Sequence, residues 1–125
     1  MRDGKHVILC VDDDQDLLEA LRIVLESNGY AMVAAATAEE GLKAYKRSAP
    51  DLLIVDLMME EVDAGTGLVK ELKALGNTAP IYMLSSVGDS LWETTDYSAL
   101  GLSGLFQKPI DNKVLLSTLK AKLRK

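Results

Sequence analysis

The chain has 125 residues, 48% of them apolar, which suffices for one domain with a real core. Its formal charge of −5 argues against nucleic acid as a direct ligand, because binding a polyanion rests on Lys and Arg neutralising phosphates. No apolar run approaches the ~18 residues of a membrane span, and Met1-Arg2-Asp3-Gly4-Lys5 leads into a strand without a signal-peptide core, so a cytoplasmic protein with no membrane partner is expected.

In chain order, residues 6–11 (HVILCV) are an apolar strand candidate. Leu17, Leu21, Val24 and Leu25 then recur at helical spacing until Asn28-Gly29 supplies a stop. Asp14, just ahead of that stripe, suits the N-cap or first turn, where a carboxylate meets free backbone N–H groups. Residues 30–36 read as a second strand, and Thr37-Ala38-Glu39-Glu40 has capping-box spacing for a helix reaching about Ser48. Ala49-Pro50 breaks it. Residues 51–56 (DLLIVD) are a short, almost unbroken apolar run. Residues 68–75 give a third helix closed by Gly76-Asn77, and Pro80 introduces a fourth strand over 81–84. A weak helical pattern over about 90–100 precedes a fifth strand over 104–107 and a final helix marked by Val114, Leu115, Leu119 and Leu123. Five strands alternating with five helices, without repeats or linkers, predict one domain over residues 1–125 whose parallel sheet is covered on both faces.

Three features have plain structural readings. The single cysteine, Cys10, cannot form an internal disulfide and lies within an apolar strand, so it reads as a buried thiol. The single histidine, His6, begins a strand and lacks the helical setting of a phosphodonor. From Lys113 onward there are five basic residues and no acidic one; with −5 overall, this leaves −10 on residues 1–112. A solvated last helix whose cations suit the dipole at its C-terminus explains this, a binding patch being the alternative.

In an open parallel sheet, ligand sites lie outside the carboxyl ends of the strands. Asp12 and Asp13 follow the first strand, Asp56 ends the third, Ser85 the fourth and Lys108 the fifth. Residues scattered along the chain therefore meet at one rim. Three carboxylates without His or Cys form a hard-oxygen site, suited to Mg²⁺ rather than zinc, and the cation offsets the repulsion among adjacent acids. A divalent ion with open positions also holds phosphoryl oxygens, and phosphoryl transfer needs mostly positioning, charge neutralisation and an in-line nucleophile. Asp56 is placed as that nucleophile, and Lys108 to meet a phosphoryl oxygen.

The succession VDDD, LLIVDLMM, APIYMLSS and LFQKP resembles the receiver domain of two-component response regulators over essentially the whole chain. The resemblance implies a flavodoxin-like (βα)₅ fold with strand order 2-1-3-4-5. It also implies that Asp56 accepts a phosphoryl group from the phosphohistidine of a histidine kinase or phosphotransfer protein. Carried over, it makes Asp13, Asp56 and the backbone carbonyl of Met58 direct Mg²⁺ ligands, with Asp12 acting largely through metal-bound water. Lys108 pairs with Asp56 and then with the phosphoryl group, Ser85 is the switch hydroxyl, and the peptide to Pro109 is cis. Such a module catalyses only its own phosphoryl transfer and dephosphorylation, and acts by changing its affinity for a downstream target protein. A monomer or a phosphorylation-linked dimer is expected. In the family the partner face is formed by the fourth and final helices with the last strand, here around 90–100 and 105–122.

Three positions depart from the common pattern. Leu105 stands where an aromatic usually lies three residues before the lysine, and Phe106 should face the other side of its strand. Trp92 and Tyr97 are alternative switch or partner-face candidates, packing being their other reading. After Asp56, Glu60 replaces a common proline, and the acidic stretch through Gly67 reads as a longer loop, either simply solvated or shaping the site. Met58 and Val87, two residues after Asp56 and Ser85, stand at positions that in the family influence access of hydrolytic water; both are apolar and cannot hold an attacking water by hydrogen bonds, so slow self-dephosphorylation is expected. Competing readings are a pseudo-receiver that binds partners without phosphorylation, a receiver excised from a larger hybrid kinase or regulator, and a small aspartyl-phosphate phosphatase. The last needs a second acid where Met58 stands.

Overall fold

The computed structural model describes residues 4–56, 64–86, 102–108 and 110–123, apart from the side chains of 64–66 and 85–86. In chain order these form β1 (Val7–Val11), α1 (Gln15–Ser27), β2 (Ala31–Ala35), α2 (Ala38–Ser48), β3 (Leu52–Asp56), α3 (Ala64–Ala74), β4 (Ile81–Ser86), β5 (Gly104–Lys108) and α4 (Asn112–Lys122). The helix expected over 90–100 lies outside the described residues. All neighbouring strands are parallel, in the order β2-β1-β3-β4-β5.

Side chains alternate across each strand, and the two resulting sets explain why the strands are apolar throughout. Ile8, Cys10, Leu52, Ile54, Leu84 and Phe106 face α1 and α4, packing with Leu21, Leu25, Leu115 and Leu119. Leu9, Val11, Leu53, Val55 and Met83 face α2 and α3, packing with Ala44, Leu68, Val69 and Leu72. Gly41 in α2 permits a close approach on this second face, since a Cβ there would lie 2.9 Å from Val11 Cγ2 and 3.2 Å from Leu68 Cδ2. The end of β1, immediately before Asp12, is thereby fixed against α2.

Helix starts follow local chemistry. Asp14 caps α1, accepting from the N–H groups of Asp16 and Leu17. Thr37 caps α2 by accepting from Glu40 N–H, whereas the Glu40 carboxylate reaches Ala36 N–H, one residue before the usual capping-box target. Asp111 caps α4 through the N–H groups of Lys113 and Val114, a signal the apolar spacing did not reveal.

Some boundaries differ from expectation. α3 begins at Ala64, not at residue 68, so residues 64–67, read as part of the loop, belong to the helix. Gly65 and Gly67 lower helix propensity there, but burial of Leu68, Val69 and Leu72 anchors the helix that they open. β4 runs on to Ser86 because it continues to pair with β5 past the last apolar residue. Val114 is 51% exposed and marks no core position; Leu115 and Leu119 carry that face of α4.

Candidate functional site

The carboxyl ends of β1, β3 and β5 deliver Asp12, Asp56 and Lys108 to one rim of the sheet. Asp12 follows the last residue of β1 and is held there by its own N–H, which donates to Ala35 O at 3.0 Å. Its carboxylate is fixed at both oxygens. Oδ1 accepts the Asp14 N–H at 2.9 Å, and Oδ2 lies 3.0 Å from Lys108 Nζ. The run of three aspartates thus divides: Asp14 caps α1 with its side chain and orients Asp12 with its amide.

Asp56 is the last residue of β3, and Lys108 the last of β5, with β4 between them. Lys108 nonetheless reaches both acids, its Nζ also standing 3.5 Å from Asp56 Oδ2. Asp12 is fully buried, Asp56 is 4% exposed, and the Lys108 side chain retains 23% exposure. Burial alone would lower the lysine pKa, but the adjacent Asp12 and Asp56 outweigh it and hold the ammonium above its ordinary value. Lys108 therefore stays charged between the two acids.

Asp13 is exposed at the same rim, and ligand oxygens of Asp12, Asp13 and Asp56 all lie within 4.8 Å of one another. Three carboxylates against one ammonium leave a formal excess of two negative charges. Asp12 Oδ2 is buried, and the Lys108 ammonium 3.0 Å away compensates it. An all-oxygen donor set with this excess fits the Mg²⁺ site of a receiver.

The remaining expected positions distribute as follows. Ser85 lies in β4 in register with Gln107, its hydroxyl outside the described atoms. Met58, Val87, Trp92, Tyr97 and Pro109, with the cis peptide expected at the last, lie outside the described residues. Leu105 and Phe106 face opposite sides of the sheet, as strand alternation requires. Phe106 stacks on Tyr82, with ring centroids 5.1 Å apart and planes 23° from parallel. Alternation within residues 81–84, which places Tyr82 and Leu84 on one face, is the sequence signal for this stack.

The family model for the response regulator receiver domain matches residues 8–120. The chain belongs to this family. Similar curated proteins include the transcriptional regulatory protein CseB of Streptomyces coelicolor, 32% identical over all of this chain and 52% of that protein. Response regulator MprA of Mycobacterium leprae is 35% identical over 94% of this chain and 51% of its own length. This receiver thus spans about half the length of these two relatives. Among solved structures, a CheY-like receiver domain protein of Methanospirillum hungatei superimposes with a TM-score of 0.86 at 29% identity, covering 96% of this chain and 94% of the other. The chemotaxis protein CheY4 of Vibrio cholerae gives 0.85 at 28% identity, covering 96% and 100%. The expected strand order is therefore both observed and shared with CheY-like receivers, and the receiver is a signalling module of two-component systems. Among the described residues no helix is long and apolar enough to cross a membrane.

Proposed function

We propose that this receiver, acting as a single domain over residues 1–125, takes a phosphoryl group on Asp56 from the phosphohistidine of a kinase or phosphotransfer protein in the cytoplasm. The observation that carries this reading is the Lys108 ammonium bridging buried Asp12 and Asp56 beside exposed Asp13. Asp56 attacks phosphorus in line; the new Asp56 oxygen–phosphorus bond forms as the phosphorus–nitrogen bond of the donor breaks, and the imidazole leaves with the bonding pair. Asp13, Asp56 and the Met58 carbonyl would hold Mg²⁺ directly and Asp12 largely through water, and the bound ion would supply positive charge toward the phosphoryl oxygens. Lys108 exchanges part of its pairing with Asp56 for a phosphoryl oxygen, staying charged throughout. Ser85 supplies a hydroxyl to the same oxygens, and the added charge biases the partner face toward its target. The test is intact mass after incubation with Mg²⁺ and acetyl phosphate: a phosphoryl adduct absent from Asp56→Asn supports the reading, and no adduct favours a phosphorylation-independent binding module.

A second reading has its own support. The relatives of which this chain spans about half include a named transcriptional regulator. We infer that the receiver can serve as the input module of such a longer protein, with any nucleic-acid contact made by another part. The parent coding sequence decides this.

A further inference from the structure

Among the described residues, the strand order leaves β2 with β1 as its neighbour on one side and a free edge on the other. Its hydrogen bonds fix which groups face β1: Ala31 N–H donates to His6 O, and Asp12 N–H donates to Ala35 O. Alternation along this ladder turns the backbone groups of Ala31, Val33 and Ala35 towards β1 and those of Met32 and Ala34 outwards. The strand, Ala-Met-Val-Ala-Ala, carries neither charge nor proline, the features with which edge strands ordinarily discourage pairing with another chain.

Side chains from the two flanking helices reach that edge instead. Arg22 of α1 donates to the outward Met32 carbonyl at 3.3 Å and is steadied by Glu26, also at 3.3 Å. Glu40 of α2 accepts from Ala36 N–H at 3.2 Å, just past the other end of β2. One cap takes an acceptor and the other a donor, from helices on opposite faces of the sheet.

We propose that Arg22 and Glu40 close the free edge of β2 against a second copy of this chain, which would otherwise add its own β2 antiparallel. A two-fold axis at Val33 would pair Met32 of each copy with Ala34 of the other, matching the outward N–H and C=O of both residues on both strands. That ladder needs the Met32 carbonyl that Arg22 occupies, and its continuation needs the Ala36 N–H that Glu40 occupies. The edge is thus a self-association surface held shut by two side chains, and the proposal is independent of phosphorylation.

The test compares the full 125-residue chain with Arg22→Met/Glu40→Ala, which keeps the apolar stem at position 22 while removing both caps. Light scattering over a range of concentrations should give the double variant about twice the wild-type mass at the upper end. Amide exchange at Met32 and Ala34 should slow in parallel. Adding Ala34→Pro, whose missing N–H points outwards and spares the pairing with β1, should abolish the rise in mass and restore fast exchange at Met32, the amide still readable in that variant. If the double variant does not fold by circular dichroism, Arg22→Met alone frees the Met32 carbonyl and should show the same two changes more weakly. A folded variant with neither change overturns the proposal, as does a wild-type chain that already pairs through Met32 and Ala34.

Discussion

Replacing Lys108 by methionine keeps most of the stem and deletes the charge that serves both buried acids. At an effective dielectric of about 20, the contacts at 3.0 Å and 3.5 Å each carry roughly 5 kcal/mol of attraction before desolvation is subtracted. Breaking a fully buried pair costs about 3–5 kcal/mol, and the 23% exposure of the Lys108 side chain reduces this to about 2–4 kcal/mol. Urea unfolding in EDTA should show that loss. Adding Asp12→Asn to Lys108→Met should recover at least about 1 kcal/mol of it, because the orphaned carboxylate is gone. With three uncompensated acids in place of two, saturating Mg²⁺ should also stabilise Lys108→Met more than wild type. A loss below about 0.5 kcal/mol, with an unchanged response to Mg²⁺, would refute the role of Lys108 as counter-charge.

Asp14→Ala should cost about 1 kcal/mol through loss of the α1 cap yet leave Mg²⁺ affinity by calorimetry unchanged, whereas Asp13→Asn should lose that affinity. Gly41→Ala places a Cβ 2.9 Å from Val11 Cγ2, so unfolding should show a cost of about 1–3 kcal/mol, and calorimetry weaker Mg²⁺ binding as the residue before Asp12 shifts. Burial pushes the Cys10 thiol up to about 12, Arg22 opposing and Asp12 adding to the rise, so thiol reagents should modify it after unfolding and not before. An unfolded thiol ionises near 9.0 while the native one keeps its proton, so the stability Cys10 contributes is complete below pH 9.0 and falls as pH rises toward 12, at about 1.4 kcal/mol per unit. Urea midpoints of wild type and Cys10→Ala should converge over that interval.

The parts of the fold that were legible in the sequence are those where one physical signal acts alone. Unbroken apolar strands between helical stripes specify a two-sided parallel sheet, and the rule that ligands gather at carboxyl ends then unites Asp12, Asp13, Asp56 and Lys108. Asp14 separated itself from the cluster because it stands where a cap is needed. The start of α3 was hidden because Gly65 and Gly67 argue locally for a loop, while the anchoring burial at Leu68 and Val69 acts through tertiary packing. Val114 fitted the stripe of α4 by spacing yet faces outward, since two leucines fill the available core. The second oxygen of Asp12, the Tyr82–Phe106 stack and the caps on β2 each depend on contacts across elements, which no local pattern encodes.

The central claim is that Asp56, among three neighbouring acids, is the phosphoacceptor. Borohydride reduction of the chain after exposure to Mg²⁺ and acetyl phosphate converts an acyl phosphate into the corresponding alcohol, which peptide mass spectrometry locates. Homoserine is expected at position 56 and unmodified aspartate at positions 12 and 13. Homoserine at either of those, with position 56 unmodified, would contradict it.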